Sequence, residues 1–477
     1  MDIISILSAL SEWAVFALIA GAAGFTVILL GYLFYRKKLD GKYKISKRKF
    51  AVLFLLLGWF LVVLGLTTLS RGANYSDDFN FNLFSGYVNA WNKWSLSELQ
   101  LILFNMIMFL PMGFLLPLLS KRAERFNVMF CVSLAVTFGI EILQFVTSTG
   151  IFELDDLFHN VLGSIMGYAL IMGVLHCLRG KKLIWRQIGK ALAIPLCIGL
   201  VLTGVFAAYQ VKELGNIPIL PAVKQDMKDI IVTADIILSD HTQTVSLYRN
   251  SSVNALERGK EAAKIISSQF DLTFSGPVRI EGTNRIFTLK DQSGNLYYFN
   301  YFMQDGTWNM YSETQAEVLS PVLILSQKEK LEQWMLEKEF LLKNADFKVQ
   351  SETILRWDME QPDNIVTRTS SFHEGVVMLT LTDDLVPFDF MNTIVEKEYL
   401  RKVKIISPTQ AFERVLEGEF EIYSPLNKGD KLFISSCEIS YIYDTKGYYQ
   451  PAYRFSGYIN DRDHPWSCFI PAISGAN

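Results

Sequence analysis

Six runs of predominantly apolar residues precede residue 209, and backbone polar groups inside a hydrocarbon core must be bonded within their own segment. Helices satisfy that demand. The runs fall at 13–35, 50–70, 99–119, 127–147, 157–178 and 188–208, each close to the roughly 20 residues that cross a bilayer. No Lys or Arg precedes the first run, so it lacks the basic start of a cleavable signal peptide and is expected to stay in the mature chain. After about residue 208 the texture becomes that of a globular domain. Half of the 477 residues are hydrophobic and the net charge is −3, which points away from an ordinary soluble protein and gives no reason to expect nucleic acid.

The connections set the orientation, because Lys and Arg stay on the cytoplasmic side. Residues 36–49 carry Arg36, Lys37, Lys38, Lys42, Lys44, Lys47, Arg48 and Lys49; the next basic connection has Lys121, Arg122 and Arg125; the third has Arg179, Lys181, Lys182, Arg186 and Lys190. Between Ser148 and Leu157 there is none, and residues 71–98 hold only Arg71 and Lys93. The expected topology is therefore six helices with both termini outside, followed by an exported domain.

Within the apolar runs the segment Phe138–Gly167, FGIEILQFVTSTGIFELDDLFHNVLGSIMG, stands out for its polar groups. Glu141 and Gln144 interrupt one run and the pair Asp155 and Asp156 opens the next. A carboxylate at membrane depth is a functional candidate by default, the bland alternative being one satisfied by Gln144 or a backbone group. For Asp155 and Asp156 the alternative is a helix N-cap. Asp156, Asn160, Gly163 and Gly167 share one helical face, with Gly163 and Gly167 spaced for close helix approach. In the expected topology Arg71, Asn105, Glu141, Gln144, Asp155, Asp156 and Asn160 converge in the outer leaflet, with Arg71 placed to balance the acids. Pro111, Gly113 and Pro117 predict a kink below Asn105, read either as a widened cavity or as packing. Tyr87, Trp91 and Trp94 suit a short interfacial helix that anchors.

These residues carry a family resemblance. Arg71, the run NFNLF (Asn80–Phe84), Asn105–Pro117, Glu141 with Gln144, and LDDLFHNVLG (Leu154–Gly163) resemble the VanZ-like family over about residues 50–178. The resemblance implies a polytopic domain of bacterial envelopes, its founding member being associated with teicoplanin resistance, and implies no assigned reaction. Phe152–Glu153 departs from the family pattern and adds a negative charge that bears on the pairing of Arg71.

Catalytic signatures are scarce. His159, His176, His241, His373 and His464 have no ligand-spaced or triad-like companion, and no H-E-x-x-H, C-x-x-C, G-x-S-x-G or Walker loop occurs. His159 is expected to face lipid headgroups or a neighbour rather than a metal. Cys437 and Cys468 are expected to be free thiols.

The remainder reads as residues 179–208, a basic loop and sixth helix; 209–225, a stiff linker; and 226–477, an α+β domain. There a helix over Ser252–Phe270 followed by strands, and a second from Ser407 followed by strands, suggest an internal repeat joined by a helix near Gln327–Leu342. The stretch YYQPAYRFSGYI resembles the exported YycI-type and PepSY-like domains of Gram-positive bacteria, which implies an envelope protein partner. The leading expectation is a binding protein for a lipid-linked or wall-related ligand, in contact with membrane lipids and without a cofactor. The alternatives are an enzyme using Glu141 or Asp156, with a divalent cation bridging the carboxylates, or a sensor or scaffold.

Overall fold

A computed structural model describes residues 21–22, 24–35, 37–38, 45–69, 79–180, 185–313, 321–351, 353–382, 385–421 and 425–474. The chain divides into two units, Met1–Glu213 and Leu214–Asn477.

The first unit is helical: α1 Gly24–Tyr35, α2 Lys47–Leu64 ending in a π-turn over Gly65–Leu69, α3 Ser85–Lys93, α4 Leu96–Leu119, α5 Phe126–Val146, α6 Leu154–Gly180 and α7 Trp185–Val211. Among the described residues five helices are long and apolar enough to cross a membrane, namely α2, α4, α5, α6 and α7. This makes the chain a membrane protein. The first expected span, 13–35, lies partly outside the described residues, and of it the structure describes mainly the shorter α1. Ser46 caps α2 and Ser95 caps α4 by accepting from the backbone N–H three residues on. Two-residue strands β1 (Phe79–Asn80) and β2 (Phe152–Glu153) pair in parallel, bringing the segment before α3 beside the start of α6.

α4 and α6 make the most extensive helix contact. A β-carbon on Gly163 would run into the Met106 carbonyl, one on Gly167 into that of Leu110, and one on Gly113 into that of Ser164. Small residues thus let the two backbones touch, as the spacing predicted. α4 continues as one helix through Pro111 and Pro117, and Trp59 Nε1 donates to the Met108 carbonyl at 2.7 Å, beside the Ile107 carbonyl that Pro111 deprives of its helical donor. The proline stretch is therefore a packing zone; the cavity in this unit lies higher on α4.

The second unit contains β3 Ile231–Ala234, β4 Thr244–Asn250, α8 Leu256–Gln269, β5 Thr273–Phe274, β6 Arg279–Glu281, β7 Asn284–Lys290, β8 Leu296–Phe302, β9 Trp308–Ser312, α9 Pro321–Glu337, β10 Ala345–Ser351, β11 Ile354–Met359, β12 Phe372–Glu374, β13 Val376–Leu381, β14 Pro387–Asn392, β15 Val395–Lys404, α10 Pro408–Leu416, β16 Lys431–Tyr443, β17 Tyr448–Ile459 and β18 Pro465–Pro471. Two sheets form among the described residues. One runs β10-β11-β13-β14-β9-β8-β7-β5 with β6 on β7; the other runs β12-β15-β4-β17-β16-β3 with β18 on β17. α8 and α9 supply Ala263, Ile266 and Met335 to the core of the first, and α10 supplies Ala411 and Val415 to that of the second. The helix-then-meander order is present twice, as α8 before β7-β8-β9 and α10 before β16-β17-β18. A third helix, α9, precedes strands that extend the first sheet rather than merely joining two halves. The Ser407–Gln410 capping box forms as the sequence indicates.

From Leu214 on, the segment expected as a linker packs into the second unit: Gly215 N–H donates to Asp444 Oδ2 at 2.6 Å and Ile217 is buried. Cys437 and Cys468 both pair with Phe455 from opposite sides. That register puts two strand spacings, about 9.5 Å, between them, too far for a disulfide. Both thiols are free.

Candidate functional site

The polar residues gather at the end of the helical unit where α3 lies. Along α5, Ser133, Thr137, Glu141 and Gln144 recur at helical spacing and are all buried, Glu141 to 1% exposure. The Glu141 carboxylate accepts from the Glu153 N–H at 3.4 Å, and the Glu153 side chain accepts from Asn80 Nδ2 at 3.5 Å across the β1-β2 pair. One turn on, Gln144 Nε2 donates to the Thr67 carbonyl at 2.9 Å. Thr67 belongs to the π-turn ending α2, a geometry that releases backbone groups from the ordinary ladder.

α6 supplies the other wall. Asp156 Oδ1 accepts from Asn105 Nδ2 at 2.6 Å, tying α6 to α4 above the glycine contact. Asn160 follows on the same face, 3% exposed, with its Oδ1 buried and unpartnered among the described residues. Thr137 Oγ1 is in the same condition. Buried polar atoms of this kind are uncommon in folded proteins.

Asp155 acts as a cap, on a helix other than its own. Its carboxylate accepts from the Phe84 N–H, from the Gly86 N–H at 2.8 Å and from Ser85 Oγ at 3.3 Å, which satisfies the orphan donors opening α3. Gly86 leaves room for this: a β-carbon there would stand 3.2 Å from Asp155 Oδ2. His159, 2% exposed, shares a 2.9 Å hydrogen bond through Nε2 with Tyr87 Oη. The Tyr87 phenol is pushed up to about 12, first by burial and second by the Asp155 carboxylate, so it keeps its proton at physiological pH. α3 is thus docked by two α6 residues. Asp155→Ala should release it: three buried-side donors lose their acceptor, a cost of about 1–3 kcal/mol. Hydrogen exchange over Ser85–Lys93 should then accelerate, and unchanged protection would contradict the capping role.

The structure brings Asn105 to Asp156, and Glu141 to the Glu153 backbone. Gln144 turns to the α2 backbone and Asp155 to α3, both into structural bonds. Arg71 lies outside the described residues. Asn80, Glu153, Thr137 and the Tyr87–His159 pair belong to the cluster without having been singled out as ligands. Thr137 was findable, since it stands four residues before Glu141 on the same face. Among the described residues no group of three His, Cys, Asp or Glu side chains is placed to hold a metal ion.

Below α3 an open-sided cavity of about 700 Å³ lies between α4, α6 and α7. Tyr87, Trp91 and Trp94 line its upper end, so the short aromatic helix does more than anchor. Trp94 stacks on Tyr209 of α7 with ring centroids 3.5 Å apart.

Comparison with known proteins divides along the same line as the two units. No curated protein matches the chain. Among solved structures, the Bacillus megaterium YpeB C-terminal domain covers 45% of this chain and 93% of its own at 14% identity, with a TM-score of 0.20. An uncharacterized protein from Eubacterium rectale covers 51% and 87% at 9% identity, with a TM-score of 0.21. Likeness at that level fixes neither fold nor function. Residues 50–176, which supply the elements of the polar cluster from α2 to α6, match the VanZ/LLP1 family model, and it is to this family that the membrane segment of the chain is similar.

Proposed function

We propose that the membrane unit is an envelope binding module whose polar cluster, in the outer leaflet, engages a lipid-linked or wall-related ligand, and that it contributes to glycopeptide resistance of the teicoplanin type. The observation that carries this is Glu141, a carboxylate 1% exposed near the α3-side end of an apolar helix and accepting from the Glu153 N–H, in the unit that also holds the unpartnered Asn160 Oδ1. The Glu153 N–H supplies one partner of this carboxylate, and ionisable groups at membrane depth are functional candidates by default. Glu141, Asp156, Asn105, Asn160 and Arg71 are the ligand-facing set. Asp155 and Gln144 hold the elements that present them. The second unit, read as exported, contacts an envelope protein partner of a Gram-positive cell. The alternative is an enzyme in which Glu141 or Asp156 acts as general base or a divalent cation bridges the carboxylates.

The outer-leaflet placement rests on the basic connections. On a cysteine-free background, a cysteine at Lys37 should be shielded from impermeant thiol reagents in intact cells, whereas one at Ser268 on the exposed face of α8 should react. The opposite pattern would invert the site. The cluster itself is tested by Glu141→Gln and Asp156→Asn. Each should abolish the resistance phenotype while leaving the membrane level of the protein nearly unchanged. Loss of protein with the phenotype would mean that the cluster serves packing alone.

A further inference from the structure

The cavity beneath α3 is apolar along its length and sits at membrane depth. One wall is α4 from Leu96 through Leu103 to Met106, the opposite wall is α7 from Ala193 to Phe206, and Phe158 and Leu162 of α6 form the back. From Leu96 to Met106 is ten residues of helix and from Ala193 to Phe206 thirteen, so the cavity is roughly 15–20 Å long. One leaflet of a bilayer core is about 15 Å deep. The upper end is closed by Trp94 stacked on Tyr209, with Phe206 5.0 Å from Trp94 edge-on. Its side is open, and Cys197 and Val201 of the α7 wall remain exposed. A space of this form cannot hold water favourably, since its walls offer a water molecule almost no polar partner.

We infer that this groove holds one acyl chain of a lipid from the leaflet on the α3 side, seated between α4 and α7 with its head at the polar cluster. The inference rests on the reading of that cluster as a head-group site and narrows the ligand class. The groove ends at one leaflet's depth, so it fits an acyl chain and is too short for a long polyprenyl chain. Tyr87 joins the two regions: it lines the groove and bonds to His159, whose helix neighbours Asp156 and Asn160 belong to the cluster. A lipid entering sideways would meet α3 as a roof held down by Asp155.

The test uses the full chain in vesicles of phosphatidylcholine and phosphatidylglycerol containing a phospholipid with a mid-chain diazirine. The protein is solubilised, freed of loose lipid and irradiated, so that retained lipid alone reports. Label is expected on residues 99–106 of α4. Ile198→Trp fills the groove, whereas Leu200→Trp, two residues on and 72% exposed, points about 200° away. The first should lower α4 labelling roughly tenfold, the change that 1.4 kcal/mol makes, and the second should leave it unchanged. Leu103→Trp, from the facing wall, repeats the test should Ile198→Trp fail to accumulate. Equal labelling in both tryptophan variants, or displacement of the label by a long-chain polyprenyl phosphate, would overturn the inference. Glu141→Gln should leave the label in place while the retained lipid shifts from phosphatidylcholine towards phosphatidylglycerol, one repelling charge having been removed. Retained label with no such shift in Glu141→Gln would overturn the head-group reading instead, and with it the seating of the head at the cluster.

Discussion

Gly163→Leu is expected to drive α6 away from α4 and to dismantle the polar cluster with it. A side chain at Gly163 meets the Met106 carbonyl, which is backbone and cannot swing aside. Overpacking in cores that can adjust costs about 1–3 kcal/mol, and the cost here should reach the upper end of that range or pass it. The Asn105–Asp156 bond lies a turn or two above the contact, so separation of the helices breaks it as well. Thermal unfolding of the detergent-solubilised protein should show a large loss for Gly163→Leu and little for Gly139→Leu, because a β-carbon at Gly139 meets open space. Equal stability of the two variants would refute the close α4–α6 packing.

The second large effect concerns a charge in the other unit. Lys397 on β15 is 8% exposed at its side chain, bonds to Glu374 of β12 at 2.6 Å and lies 4.4 Å over the Tyr449 ring. The partners are buried unequally, Glu374 being 31% exposed. Removing one partner of a fully buried pair costs about 3–5 kcal/mol because the other charge is stranded. Glu374→Ala strands the buried ammonium and should cost about 2–3 kcal/mol, the Tyr449 face retaining some attraction. Lys397→Met leaves a carboxylate that can reach water, and should cost about 1 kcal/mol or less. Hydrogen exchange in β12 and β15 reads both, and a larger effect from Lys397→Met would contradict the asymmetry.

What was legible in the sequence was local and periodic. Five of the six expected spans, the shared face of Asp156, Asn160, Gly163 and Gly167, and the capping box at Ser407 all follow from spacing along one element. The role of Asp155 was not legible, because its partners Phe84, Ser85 and Gly86 lie about 70 residues earlier and meet it through the β1-β2 pair. Nor was the groove, which depends on how α7 stands beside α4 and α6 rather than on any run of residues. Of the two readings the prolines in α4 allowed, a widened cavity or packing, spacing could not choose; neighbouring glycines and the Trp59 bond make that zone a packing zone. Among the strands, β15 escaped because VEKEYLRKVK carries charge at most positions, and only its buried members Lys397 and Val403 face inward. The crossing of β12 and β15 into the second sheet is likewise set by long-range pairing.

The claim on which the rest depends is that the cluster around Glu141 and Asp156 binds an envelope lipid without transforming it. Purified protein in lipid, mixed with an anionic diacyl phospholipid of the envelope, should retain that lipid at unchanged mass. On the proposal that Arg71 balances the acids, Arg71→Ala should weaken retention, since an acidic cluster without a cation repels an anionic phosphate head. Glu141→Gln, which removes part of that repulsion, should strengthen it, with the fold intact by hydrogen exchange. Metal-dependent conversion of the lipid, lost in Asp156→Asn, would replace the binding account with the enzymatic one, and the absence of both retention and turnover with any envelope lipid would contradict the account at its centre.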